Sequence, residues 1–180
     1  MDKPSNGILV LNGGSSSVRF AFYDVQNPNA AEASGKLDRI GMHGTVFMHT
    51  MQGKASCTEP VSGFADRKQA LHYLLDWLEE HGILTNARII GHRVVHGMGC
   101  THPVLLTAKR LGQFRKQVFY APDHLPSELD MIEWCFDRCP DVPQVACFDT
   151  AFHANLPFVA QRFALPRHYG DSGIRRYGFH

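Results

Sequence analysis

The 180-residue chain has almost no excess of either charge, with 18 Lys and Arg against 17 Asp and Glu and a formal net charge of +1. With no basic run either, the footprint of a nucleic-acid or anionic-membrane binder is missing, and neither partner is expected. No apolar stretch approaches the roughly 20 residues that span a bilayer. Met1–Gly7 is too polar to open a secretion signal. The five cysteines, Cys57, Cys100, Cys135, Cys139 and Cys147, are odd in number. Without a signal they read as reduced thiols, and a cytoplasmic location is expected. Cys135, Cys139 and Cys147 lack the close Cys-x2-Cys pairs of structural zinc sites, so no zinc is expected.

The chain opens with Ile8–Leu11 and Val18–Val25, two β-rich runs joined by the loop Gly13-Gly-Ser-Ser-Ser17, which together predict a hairpin. Asn27-Pro-Asn29 is expected to break the second strand, and further strands are expected within 35–54. Phe64, Leu71, Leu74, Leu75 and Leu78 fall at helical spacing, predicting a helix over 66–81 with Asp66 or Ser62 as cap and Gly82 as stop. Arg88–His96 reads as a strand. A helix is predicted after Thr107, another from Ser127 with Asp130 in a capping box, and a short one near 155–163. The apolar run Val145–Phe148, closing on Asp149, reads as a buried central strand. This order predicts an α/β domain, a mixed β-sheet with an N-terminal β-hairpin and flanking helices.

Four segments carry chemistry. Glycines in the Gly13–Ser17 loop let successive amides turn toward an anion, and the serines add hydroxyl donors. The loop lacks the Walker lysine and is followed by a strand, so it is not a P-loop. It suits a phosphate, or a plain polar turn. Gly91-His-Arg-Val-Val-His-Gly97 sets Arg93 in an apolar strand, a costly place for a cation without an anionic partner. Its His92 and His96 are either hydrogen-bonded core residues or, with Asp149, ligands of a metal-dependent hydrolase. In Tyr120-Ala-Pro-Asp-His-Leu-Pro126, His124 is held between two prolines, as a fixed donor or a mere turn residue. Cys147-Phe-Asp-Thr-Ala-Phe-His153 puts Asp149 at a strand's carboxyl end, where ligands gather in open α/β sheets. There it serves to hold Mg²⁺, position a substrate or orient an arginine, or else caps a helix.

Taken in order, LNGGSSSVRF, GHRVVHG, APDHLP, FDTAFH and IRRYGFH resemble the acetate kinase family from Ile8 to His180. The resemblance implies a ribonuclease-H-like domain of the actin, hexokinase and heat-shock 70 superfamily, in which a hairpin turn faces the nucleotide phosphates. It implies Mg²⁺-dependent phosphoryl transfer between ATP and a short-chain carboxylate, by direct in-line attack. Asn12, Gly13, Gly14, Ser15, Ser16, Ser17 and Arg19 would face the phosphates, with Asn12 and Asp149 near Mg²⁺. Arg93 would bind carboxylate and phosphoryl, Val95 would line the acyl pocket, and His124 and His180 would donate hydrogen bonds to the phosphoryl group. Residues 1–180 would form one N-terminal domain, inactive alone, the nucleotide-binding domain following in a homodimeric full-length enzyme. A non-catalytic binding module on this fold is the other implied reading. Three departures from the family pattern stand out: Arg19 in place of lysine, Met98 in place of glycine, and Asp123 and Leu125 in place of leucine and asparagine. Asp123 in an acyl pocket points to an acceptor other than acetate, such as a hydroxylated acid.

Overall fold

Leu9 and Leu11 on β1 (Gly7–Gly13), Val18 and Phe20 on β2 (Ser17–Asp24) and Ala33 and Leu37 on β3 (Asn27–Asp38) are buried in alternation with more exposed neighbours. Period-two alternation of this kind puts one face of a sheet against the core. The computed structural model describes residues 6–62 and 64–178. β4 (Val46–Met51) and β5 (Cys57–Pro60) extend the antiparallel set. Helices α1 (Arg67–Glu80) and α2 (Ile83–Asn86) then lead into β6 (Ala87–Val94). β7 (Val104–Leu105), α3 (Ala108–Arg115), α4 (Leu125–Arg138) and β8 (Gln144–Phe148) follow, before the short α5 (Phe158–Gln161) and α6 (Arg167–Asp171).

The eight strands form one sheet in the order β5-β4-β3-β2-β1-β6-β8-β7. β6 runs parallel to both β1 and β8, and the other pairings are antiparallel. Leu71, Leu74 and Leu78 of α1 meet Leu9, Leu11, Phe20 and Phe47 beneath the sheet. A second apolar cluster joins Val94, Ala146 and Phe148 to Leu111 and Phe114 of α3 and Leu125, Leu129 and Ile132 of α4. Asp66 caps α1 by accepting the Gln69 N–H at 2.9 Å, and Thr107 caps α3 in the same way through Arg110 N–H.

Three elements differ from the sequence expectation. α4 starts at Leu125 rather than Ser127, because Pro126 supplies helical φ in the first turn where its missing N–H costs nothing. Asn27-Pro28-Asn29 does not lie between strands but opens β3, after a turn at Val25-Gln26; Pro28 falls where the β2–β3 register shifts, and such an irregularity tolerates proline. β8 is not central, since only the two-residue β7 lies beyond it. Its apolar run reflects α3 and α4 packed over it.

Candidate active site

Register brings the site together. Asn12 is paired with Arg93 across the parallel β1–β6 ladder and with Arg19 across the β1–β2 hairpin. Arg93 is paired in turn with Cys147, and Arg19 with Lys36. Cross-strand partners share a face, so Cys147, Arg93, Asn12, Arg19 and Lys36 form one row across five strands. Val10, Asn12, Arg19, Ala21, Ser34 and Lys36 line an open groove of about 560 Å³ on this face.

At the end of β8 the chain turns through Asp149, whose carboxylate takes two hydrogen bonds from Arg93, Nε to Oδ1 at 2.9 Å and Nη2 to Oδ2 at 2.5 Å. The remaining Nη1 donates to Asn12 Oδ1 at 3.1 Å. This bidentate fork is the geometry that guanidinium and carboxylate favour, and the bonding to Asp149 holds the guanidinium's pKa above its ordinary value. Arg93 remains 44% exposed, so it is fixed yet open to a ligand. Beside it a cavity of about 560 Å³ is lined by Thr101, Pro103, Cys147, Phe148, Ala151 and Phe152. Thr150, next to Asp149, accepts the Gly97 N–H at 3.0 Å and ties the loop after β6 to the same turn.

The Gly/Ser loop is a tight hairpin turn, closed by Gly14 N–H to Ser17 O at 2.8 Å and pinned by Ile40 N–H to Ser16 O at 2.9 Å. It holds Ser15, Ser16 and Ser17 at the end of the strand that carries Asn12. Sequence reasoning missed two charged residues near these strand ends. Arg67, the first residue of α1, donates to Ser15 O at 2.9 Å. Glu128 of α4 is only 2% exposed and accepts the Val95 N–H at 3.0 Å. Burial pushes its carboxyl up to about 7 against the pull of Val95 N–H and of Arg93 and Arg67. A glutamate in a helix's first turn ordinarily signals a dipole partner, so no sequence signal marked it as buried.

The other expected residues are distributed as follows. Val95 is 7% exposed, within the apolar cluster of α3 and α4. His124 is an exposed residue at the N-cap of α4, and its side chain makes no cap hydrogen bond. Asp123 is exposed. His180 lies outside the described residues. The hydrolase constellation does not form. His92 alternates with Arg93 along β6 and so faces the opposite side of the sheet. It is fully buried, its Nε2 2.7 Å from Gln144 Oε1, and burial pushes its pKa down to about 4. His96 stacks on Tyr120 and accepts Met98 N–H at Nδ1. Among the described residues no cluster of His, Cys, Asp and Glu has the arrangement of a metal cage.

The mixed sheet with its N-terminal hairpin and the site at the β1, β6 and β8 strand ends define the fold class of actin, hexokinase and heat-shock 70. Within that class, residues 7–180 match the Acetokinase family, and the chain belongs to it. It is 37% identical over 179 residues to the acetate kinase of Clostridium acetobutylicum, covering 96% of this chain and 44% of that protein. Among solved structures it superimposes on a propionate kinase from Francisella tularensis with a TM-score of 0.83 and 32% identity, over 96% of this chain and 44% of that one. For the acetate kinase of Porphyromonas gingivalis the TM-score is 0.82 at 28% identity, over 97% and 45% of the two chains. The chain thus spans a little under half the length of these relatives.

Proposed function

We propose that residues 1–180 form the N-terminal domain of a kinase that transfers the γ-phosphoryl group of ATP to a short-chain carboxylate. The observation that supports this best is Arg93, a half-exposed guanidinium locked by Asp149 and Asn12 at adjacent strand ends. Phosphorylating a carboxylate brings two anions together, and a fixed cation between them lowers that repulsion with no reorganisation during the reaction. In line, a carboxylate oxygen bonds to phosphorus as the bond to the β-phosphate oxygen breaks, and ADP leaves with that electron pair. No proton need move and no covalent enzyme intermediate is required.

In this reading Asn12 and the Gly13–Ser17 loop, with Arg19, face the phosphates. Val95 belongs to the acyl pocket, and His124 and His180 donate to the equatorial oxygens. The Asn12 Oδ1 and the Asp149 carboxylate, both held by the Arg93 guanidinium, are hard oxygen donors of the kind that suits Mg²⁺. Once bound there, Mg²⁺ would neutralise charge on the phosphate oxygens. Asp123 supports an acceptor more polar than acetate. A propionate kinase among the structural relatives supports acceptor variety on this fold. The rest of the parent protein would supply the other half of the ATP site, and the homodimer.

The test is acyl phosphate formation by the complete protein from ATP and acetate, propionate or a hydroxylated short acid, trapped as the hydroxamate. Formation from one or more of them is expected; none from any overturns the reading. A clear preference for acetate removes the polar acceptor alone. The isolated chain should turn over none of them, and micromolar ATP affinity by isothermal titration would contradict the division into two half-sites.

A further inference from the structure

Two charged groups beneath the site, Glu128 buried and Arg67 partly so, take no part in the chemistry above. Glu128 lies in the first turn of α4, and among the described residues its carboxylate has one hydrogen bond, from the Val95 N–H. Burying an ionisable carboxylate with so little compensation costs several kcal/mol. Three charged groups face it from the elements packed around it: Arg67 of α1 and Arg93 of β6 favour its ionised form, and Asp149 opposes it. Arg67 is the complement. One guanidinium nitrogen donates to Ser15 O, while Nε and Nη2 are buried without a hydrogen-bond partner among the described residues. Burial pulls its pKa down, and Asp130 and Glu128 hold it up. Gly13 fits closely above: a methyl there would stand 3.2 Å from Met131 Cε and 3.6 Å from Arg67 Nη2.

We propose that Glu128 and Arg67 are a positioning pair for the transfer site, Glu128 fixing the strand end that carries Arg93 and Arg67 fixing the loop that follows Asn12. Glu128 holds Val95, two residues beyond Arg93, while Arg67 holds Ser15, three beyond Asn12. Each also lies in the other's field, after Arg93 for Glu128 and after Asp130 for Arg67. Asn12 and Arg93 are direct ladder partners, so the pair braces from below the two strand ends that must stay in register above. A buried carboxylate with one hydrogen bond is a poor device for stability. Its retention makes sense where it sets geometry, because misplacement by about 1 Å costs a kinase up to about 100-fold in rate.

The inference rests on the proposed kinase reading for its effect on rate, but not for the bracing itself, and the tests separate the two. In the 180-residue chain, the Val95 amide resonance should shift with pH about a midpoint near 7. In Glu128→Gln, which keeps an oxygen to accept Val95 N–H, that shift should vanish. A pH-independent Val95 amide in the wild type overturns the pair whatever the activity. In the complete protein, Glu128→Leu, which removes the acceptor, should lower kcat by about 10- to 100-fold with both KM values nearly unchanged, while its Tm at pH 8 holds or rises and Glu128→Gln recovers most of the rate. Arg67→Gln should lower kcat comparably, and the double variant should be little worse than either single, since the two act as a unit. Additive losses, or a Glu128→Leu enzyme with unchanged kcat, would refute the pair. A merely structural glutamate would instead lose Tm together with kcat.

Discussion

Asp149 holds Arg93 through both carboxylate oxygens, at 2.9 and 2.5 Å, across a separation of 56 residues in the chain. The pair is partly open to solvent, with 44% and 18% of the two side chains exposed. Such pairs add only about 0–1 kcal/mol to stability, so its value lies in aiming the guanidinium. Asp149→Asn should therefore leave Tm within a few degrees of the wild type. In the complete protein kcat should fall at least about 100-fold, the usual loss when one preorganised electrostatic group is removed from a reacting centre. Differential scanning calorimetry and steady-state kinetics, run side by side, check both halves.

His92 and Glu128 should tilt stability with pH in opposite directions. His92 is neutral in the fold with a pKa near 4 against an ordinary 6.5. The unfolded chain binds the proton first, so His92 costs stability as pH falls from 6.5 toward 4. Glu128 is raised from 4.5 to about 7, so it costs stability as pH rises across that interval. Each slope approaches 1.4 kcal/mol per pH unit. Relative to wild type, Glu128→Gln should gain stability from pH 4.5 to 7, and His92→Gln should gain as pH drops below 6.5. Urea unfolding at half-unit pH steps reads both difference curves; curves of equal sign would contradict the assignment.

Met98 occupies the left-handed region at φ 55°, a conformation costly for any residue with a side chain. The family pattern has glycine there. Met98→Gly should raise stability by about 0.5–1 kcal/mol, the strain released exceeding the added chain entropy of glycine. The preceding Gly97 is bound by a different constraint, since a methyl group there would stand 2.5 Å from the Phe148 ring. Gly97→Ala should cost stability, and thermal melts of the two variants should move in opposite directions.

Asp123 is exposed beside His124 at the start of α4. If it selects the acceptor, Asp123→Leu should raise kcat/KM for acetate or propionate relative to a hydroxylated acid in the complete protein. A shift of about tenfold, near 1.4 kcal/mol, is the size one pocket substitution delivers. An unchanged ratio would assign Asp123 to the surface alone.

Local patterns carried much of this structure into view before any coordinates. The period-two runs around Leu9 and Phe20, the Asp66 cap and the leucines of α1 are short-range signals, and each predicted its element. Arg93 stood out because a guanidinium in an apolar strand demands an anion, and Asp149 supplies it. The start of α4 was misplaced because Ser127 and Asp130 imitate a capping box, whereas Pro126 fixes the first turn. Glu128 and Arg67 were invisible for another reason. Burial of a charged side chain depends on which helices cross above it, and no spacing along the chain encodes that.

The alternation along β6 carries a last consequence. A slip of one residue between β1 and β6 would drive the Arg93 cation into the leucine layer and turn the His92 imidazole out to water. The same ladder that seals the interior thus aims the guanidinium, and the leucine layer cannot close unless Arg93 faces outward.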